Sequence, residues 1–205
     1  SSPNPEPAVT NLLLDGKVMG IAQALERARI PHAFGGAIAL AYYAAPRGTE
    51  DIDINVFLKV EEAGTCWEEL ERVGVESPAT DRDIHDHQVT LSWEHTPIHV
   101  FLSYDPFHES CGARARKVPF ADGQIWILSA EDITVFKVIY DRPKDRAEVR
   151  EVLLCMGERM DVAYTTGWLE RILGGEDARL KRFRGAAAEL LAGGAPSPSG
   201  STASE

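Results

Sequence analysis

Two glycines and two aspartates have the residue types and the spacing of a metal-nucleotide site. Gly35 and Gly36 follow Phe34, and Asp51 and Asp53 lie in a stretch whose even positions, 52 to 58, are all aliphatic. Residues two apart in a strand share a face, so the two carboxylates are expected to project together, within about 7 Å. Like charges at that spacing favour a bound cation, and oxygen ligands suit Mg²⁺ or Mn²⁺ carrying the phosphates of a nucleotide.

The glycine pair supplies the phosphate side of such a site. Residues without a Cβ let backbone N–H groups approach a phosphate, and a helix predicted from Ala37 would add its positive end. Taken separately, glycines are typical of a tight turn and aspartates of a solvated strand end, but the ordered combination favours the nucleotide site. Arg47 and Thr49, just before the aspartates, are candidate nucleotide-binding residues, Arg47 as a phosphate contact. Thr49 is otherwise either a turn hydroxyl or a point where an added phosphate would crowd Asp51.

Alternating elements are predicted to position these residues. The patterns predict a helix over 12–30, a strand over 31–36, a helix over 37–45, a strand over 51–58 and a helix over 61–73. Strands at 89–93 and 98–103 flank a predicted four-residue loop, and another strand covers 124–128. Ser129, with Asp132 three residues later, resembles a capping box that begins a helical region broken near 142–143, 156–157 and 174–175.

The sequence therefore predicts an α+β (mixed α/β) part at 9–128 and a C-terminal helical region at 129–192. The ends, 1–8 and 193–205, are rich in Pro, Ser and Gly and are expected to be disordered.

The helical region adds Lys137 and Asp145 as candidates. The predicted buried stripe that Lys137 borders consists of Ile133, Phe136, Ile139 and Tyr140. A lysine at such a border either packs its stem with the ammonium in solvent or holds the ammonium over a cleft, where it offsets phosphate charge. Asp145 either completes a site or belongs to an ordinary charged helix start.

These segments together resemble a known superfamily. The run from Phe34-Gly-Gly-Ala-Ile-Ala-Leu to Pro46-Arg-Gly-Thr-Glu-Asp-Ile-Asp is similar to the signature of polymerase-β-type nucleotidyltransferases. Its Arg-x-Thr-x-Asp-x-Asp form is most similar to the bacterial AbiEii/MenT toxin group, and residues 129–137 and 142–145 resemble that group's downstream lysine and aspartate motifs. The resemblance covers about residues 31–155 and implies a polymerase-β-like nucleotidyltransferase core.

The resemblance implies an enzyme that transfers a nucleoside monophosphate (NMP) from an NTP to a hydroxyl, with Mg²⁺ or Mn²⁺. In MenT-like members the acceptor is the 3′ end of tRNA, and the partner expected for such a toxin is a cognate antitoxin. The roles implied are phosphate binding for Gly35 and Gly36, metal binding for Asp51 and Asp53, phosphate or charge stabilisation for Lys137, and completion of the site for Asp145.

One position departs from the family pattern. Many members carry a third carboxylate on a later strand, and the candidate strand here has His99 where that acid is expected. His99 is either a base for the attacking hydroxyl, a common role of histidine, or an inert surface residue. Otherwise the reaction relies on Asp145, or activity is lost.

Composition and charge limit the classes of function. The 205 residues are 44% hydrophobic and 26% charged, which is typical of a globular protein. The net charge of −11 argues against a general DNA-coating protein, although cations at 114–117, 142–146 and 179–184 could line an RNA-facing side. Without a leader or membrane-spanning pattern, the location expected is the cytoplasm.

The cysteines and one histidine cluster bear on metal binding. The three cysteines contain no CxxC pair and are expected to be reduced and structural. The cluster at 81–87, Asp-Arg-Asp-Ile-His-Asp-His, is either a zinc site or an ordinary polar loop.

Two other functions stay open. The acidic balance favours a small cationic acceptor, such as an aminoglycoside, and a protein side chain is a related alternative. The missing third acid instead fits a catalytically degenerate nucleotide-binding or partner-binding module.

Overall fold

A computed structural model describes residues 13–76 and 87–192. Of these, 13–38, 48–76 and 87–128 belong to one compact unit, called here the α/β unit, and 39–47 and 129–192 to a second, called the helical unit. The predicted disordered ends lie outside the described residues, as does the 81–87 cluster apart from His87.

The α/β unit is built on a six-stranded mixed sheet. The strands are β1 (His32–Phe34), β2 (Ile52–Val56), β3 (Gln88–Trp93), β4 (Thr96–Leu102), β5 (Arg116–Phe120) and β6 (Gly123–Ile127). They lie in the order β3-β4-β2-β1-β6-β5, with β2 parallel to β4 and β1 parallel to β6. The aliphatic residues of β2 have no exposed surface because this strand is central in the sheet and its side chains fill the core.

Helices complete both units. The α/β unit contains α1 (Leu14–Arg27), α3 (Gly64–Arg72) and α4 (Pro106–Arg114), and α2 (Gly36–Leu40) leads from it into the helical unit. The helical unit contains α5 (Ala130–Tyr140), α6 (Pro143–Met156), α7 (Val162–Leu173) and α8 (Ala178–Ala192). Short 3₁₀ turns lie at Val60–Glu62 and Gly157–Arg159. The three predicted breaks in the helical region are confirmed, and Ser129 caps α5 by accepting a hydrogen bond from the Asp132 N–H. In 13–76 and 87–192, every helix is too short or too polar to cross a membrane.

Two element predictions were wrong in extent. The helix expected over 37–45 ends at Leu40, because the next residues form tighter i→i+3 bonds, from Tyr42 N–H to Ala39 O and from Tyr43 N–H to Leu40 O. The β3–β4 hairpin has a two-residue loop, since Trp93 pairs with Thr96 and Glu94 adopts a φ of 54°.

The remaining differences concern α4, β5 and α5. The sequence patterns did not indicate α4 or β5. The buried stripe predicted for α5 was wrong: of Ile133, Phe136, Ile139 and Tyr140, only Ile133 is buried. Because α5 packs against α6, α7 and α8, it buries residues on other sides as well, among them Lys137, which was expected at the border of the stripe. Tyr140, assigned to that stripe, is half exposed instead.

Candidate functional site

The glycine corner and Asp53 are in direct contact. β1 ends at Phe34, and the Gly35 N–H donates a 2.9 Å hydrogen bond to the Asp53 backbone oxygen. Gly36 has a φ of +50°, and a Cβ added there would lie 1.9 Å from Asp53 Oδ2. Only glycine therefore fits at position 36, because any side chain would collide with the carboxylate. Because the Gly35 N–H is used in this hydrogen bond, a phosphate at the corner would be bound by the backbone N–H groups of the residues after Gly35.

Asp51 lies one residue before β2, in the bend that leads into the strand. The Thr49 hydroxyl donates to Asp51 Oδ1, which confirms that this hydroxyl belongs to the turn. The Asp51 side chain is 47% exposed, so one of its carboxylate oxygens is held by the turn while the group stays open to solvent. A carboxylate fixed in this way is preorganised to bind a ligand from solvent.

His99 lies beside the aspartates. In the parallel register of β2 and β4, Asp53 is opposite His99, so the histidine lies beside the aspartate on the strand where the resemblance implied a third acid. Its Nε2 is 4.0 Å from Asp51 Oδ2, and its Nδ1 is 3.1 Å from the hydroxyl of Thr90 on β3. Thr90 therefore orients the ring, and Nε2 faces the carboxylate.

Asp51 and Asp53 fit a divalent metal ion bound together with a nucleotide. In the described part of the chain, no group of three or more His, Cys, Asp and Glu side chains could hold a metal. Two carboxylates beside a glycine corner instead suit Mg²⁺, which usually takes one or two protein carboxylates together with substrate phosphates. A Cβ at Gly36 would collide with the Asp53 carboxylate, so one of the two carboxylates lies directly against the corner.

Lys137 lies in an ion-pair network inside the helical unit. Its ammonium pairs with Glu148 Oε2 and lies 3.7 Å from Asp145 Oδ1. Arg47 donates from Nε to Glu148 Oε1 at 2.7 Å, and Arg142 donates from Nε to Asp145 Oδ2 at 2.6 Å. Three cations therefore share these two carboxylates in the helical unit.

Burial and charge act in opposite directions on these carboxyls. Burial would raise the pKa of Asp145, but hydrogen bonds from Arg142 and the charges of Arg142 and Lys137 hold that pKa below its ordinary value. Burial would likewise raise the pKa of Glu148, whereas Lys137 and Arg47 lower it. Both groups are therefore ionised in the folded protein at neutral pH.

The structure divides the predicted site residues into two groups. Gly35, Gly36, Thr49, Asp51, Asp53 and His99 belong to the α/β unit, whereas Arg47, Lys137 and Asp145 belong to the ion-pair network of the helical unit. Arg47, predicted to contact a phosphate, forms a salt bridge with Glu148. Asp145 caps the first turn of α6 by accepting a hydrogen bond from the Arg142 N–H, as expected of a charged helix start.

Sequence reasoning missed Glu148 and Thr90. Glu148 lies three residues after Asp145 on α6, so a helical wheel of α6 would have placed the two carboxylates on one face. Thr90 was missed because the predicted four-residue loop pairs His99 with Ser92, two residues away from its partner in the structure. A shift of two residues keeps His99 on the same face of the hairpin but gives it a different cross-strand neighbour.

No protein-family model matches the chain, and no curated protein matches it. Two solved structures of the antibiotic-resistance factor ANT(2″)-Ia are similar to it. The solution structure has a TM-score of 0.58 at 15% identity and covers 77% of this chain and 92% of its own. The crystal structure with adenylyl-2″-tobramycin has a TM-score of 0.58 at 16% identity and covers 76% and 96%. The chain therefore has a nucleotidyltransferase-like fold.

The cysteines are free, as expected. Cys66 and Cys111 are buried and Cys155 is exposed. Burial raises the pKa of the Cys66 thiol to about 12, so this residue is an inert part of the core.

Proposed function

We propose that the protein is a metal-dependent nucleotidyltransferase that transfers an NMP from an NTP to a hydroxyl of an acceptor. The observation that carries this proposal is the contact of Asp53 with the glycine corner, where a Cβ would lie 1.9 Å from the carboxylate. The nucleotidyltransferase-like fold supports it independently of the site.

In this proposal Asp51 and Asp53 hold the metal, and the backbone that follows Gly35 faces the phosphates. A bound Mg²⁺ would neutralise phosphate charge and polarise the α-phosphate. Thr49 keeps the Asp51 carboxylate in one orientation by donating to Oδ1, and the side chain, 47% exposed, is accessible to a metal from solvent.

His99 is the proposed base. With Nδ1 donating to Thr90, Nε2 carries the lone pair and accepts the proton of the attacking hydroxyl. The hydroxyl oxygen forms a bond to the α-phosphorus, the bond from that phosphorus to the β-phosphate oxygen breaks, and pyrophosphate leaves. The Thr90 hydroxyl continues to accept from Nδ1, so the ring keeps its orientation as the imidazolium forms. Roles for Lys137 and Asp145 in the reaction stay predictions.

The acceptor implied by the sequence resemblance is the tRNA 3′ end, with a cognate antitoxin as partner. The distribution of charge is compatible with RNA at the helical unit. Residues 39–47 and 129–192 contain 12 of the 21 Lys and Arg and 12 of the 32 Asp and Glu, so the entire net charge of −11 lies in the rest of the chain. The helical unit is therefore neutral and repels a polyanion less than the remainder does.

A small cationic acceptor is the second candidate. The similar structure of ANT(2″)-Ia contains adenylyl-2″-tobramycin, and the acidic α/β unit would attract an aminoglycoside. Many helical-unit arginines are also engaged locally; Arg184, for example, pairs with Glu170.

The test is transfer of label from each α-³²P-labelled NTP, with Mg²⁺ or Mn²⁺, to tRNA and to tobramycin in parallel. We expect labelling of one acceptor, a loss of at least about 100-fold in Asp53→Asn, and no change in Asp122→Asn, which alters an exposed turn. If no NTP labels either acceptor, or the protein itself, under any of these conditions, the enzyme proposal fails. Binding of NTP without turnover would then favour a degenerate nucleotide-binding module.

A further inference from the structure

A cavity of about 280 Å³ lies within the helical unit, lined by α5, α6 and α8. Apolar side chains, Val138, Val149 and Phe183, form part of its wall, and four arginines line it as well: Arg146, Arg150, Arg179 and Arg182. Its volume is near the lower end of the range of small-molecule pockets. A cavity with apolar walls and guanidinium groups has the composition of a site for an organic anion.

The arginines are held in place by carboxylates. Arg146 donates to both oxygens of Asp141, at 2.8 and 2.9 Å, and Arg182 donates to Asp141 Oδ2 at 2.6 Å. Hydrogen bonds from Arg146 first, and then from Arg182, lower the pKa of Asp141, so its charge is fixed. One carboxylate therefore positions two guanidinium groups and leaves one positive charge uncompensated.

The other two arginines do not alter this balance. Arg179 pairs with Asp177, and Arg150 makes two hydrogen bonds to Glu189, at 3.2 and 3.0 Å. Arg179 also donates to the Ile139 carbonyl at 2.8 Å, which satisfies an acceptor at the end of α5. The helix terminus is thus capped without Arg182, whose single described hydrogen bond leaves most of its five donors for a ligand.

We propose that this cavity binds a small phosphate-bearing organic molecule, with its phosphate on Arg146 and Arg182 and its apolar part against Val138, Val149 and Phe183. A guanidinium group suits a phosphate because its planar donors match two phosphate oxygens. The limited volume of about 280 Å³ favours a small molecule over a nucleic-acid strand, which requires a continuous groove. All the residues that form the cavity belong to the helical unit, and although Lys137 also lines it, the proposed ligand contacts use only residues with no role in the proposed transfer.

Titration calorimetry of the full-length protein with phenyl phosphate tests this site, because the probe combines an aromatic ring with a phosphate. We expect saturable binding at submillimolar to millimolar concentration, weakened at least about tenfold in Arg182→Ala. Lys181→Ala is the matched control, since this α8 residue pairs with Glu176 and does not line the cavity. Asp53→Asn should bind as the unaltered protein does, which separates this site from the proposed nucleotide site.

A second variant guards against a folding defect. Ala186 lines the cavity and carries no charge, so Ala186→Leu should fill the space and weaken binding while every arginine stays in place.

Benzyl alcohol and inorganic phosphate should each bind at least about tenfold more weakly than phenyl phosphate, because each lacks one half of the probe. The proposal is overturned if binding of phenyl phosphate does not saturate below 10 mM or if Asp53→Asn abolishes this binding. It is also overturned if Arg182→Ala weakens tRNA retention but leaves phenyl phosphate binding unchanged.

Discussion

Position 36 tolerates only glycine, and this makes it the sharpest single-residue test of the site. Gly36→Ala would combine a φ of +50° with a Cβ 1.9 Å from Asp53 Oδ2, so the carboxylate must move or the corner must open. We expect the free energy of unfolding to fall by about 1–3 kcal/mol. The affinity for metal and nucleotide should fall more strongly, because Asp53 is displaced. Thermal unfolding and calorimetric titration with Mn²⁺ and a non-hydrolysable NTP measure the two effects.

The matched control is Gly167→Ala in α7. A Cβ there would meet nothing within 4 Å, so this variant should bind the nucleotide normally and gain roughly 0.5–1 kcal/mol of stability from helix propensity. Normal nucleotide binding by Gly36→Ala would contradict the assignment of the corner.

Thr90 is expected to act through His99 and so to be a positioning residue. Thr90→Val removes the hydroxyl 3.1 Å from Nδ1 and leaves β-propensity unchanged. We expect kcat to fall about tenfold and KM for the NTP to stay constant, because the base is misoriented while NTP binding is unaffected. Thr90→Ser should restore most of the rate. An equal fall of kcat in Thr90→Val and Thr90→Ser would show that the hydroxyl has no orienting role.

At the scale of the elements, the helical unit depends on buried carboxylates that need their cations. Glu148 joins Lys137 to Arg47, and Glu148→Gln would leave these two cations with less compensating charge. We expect a loss of roughly 3 kcal/mol in the free energy of unfolding, measured by urea denaturation, against little change in Glu151→Gln on the exposed face of the same helix. Equal stability of the two variants would mean that the network contributes nothing.

The same carboxylates predict a dependence of stability on pH. The pKa values of Asp145 and Glu148 lie below their ordinary 3.8 and 4.5 in the folded protein. Groups of this kind stabilise the fold above their unfolded pKa, and the stabilisation is lost as the pH falls through the folded pKa. The melting temperature, followed by circular dichroism, should therefore fall as the pH is lowered below about 4.5, and it should fall less steeply in Glu148→Gln.

Some elements of the fold were predictable from the sequence and others were not. β2 was predictable because alternating aliphatic residues encode a buried strand face, and the breaks in the helical region were predictable from Pro143, Gly157 and Gly174. The length of α2 was not, because its end depends on a local choice between i→i+4 and i→i+3 bonds. The network around Lys137 could not be derived from strand or helix patterns, since it joins Arg47 to residues about one hundred positions later.

At the scale of the whole molecule, the charge distribution distinguishes the two candidate acceptors. Because residues 39–47 and 129–192 are neutral overall and the rest of the chain carries −11, an RNA would dock at the helical unit, and a polycation would be attracted to the remainder. The double variant Lys181→Glu and Arg184→Glu reverses two exposed charges of α8 that lie outside the cavity. It should weaken salt-dependent tRNA retention at least about tenfold and leave tobramycin labelling unchanged.

The converse variant alters the acidic side. Glu68→Lys with Glu71→Lys, on the exposed face of α3, should weaken tobramycin use, because it removes attraction for a polycation, and should spare tRNA. Both effects should diminish between 50 and 300 mM salt, since exposed charges are screened over about 10 Å at 0.1 M. If the α8 variant reduces tRNA labelling and the α3 variant has no effect on either acceptor, the RNA acceptor is supported. The opposite pair of results would support a cationic small molecule, since only that acceptor needs the acidic surface.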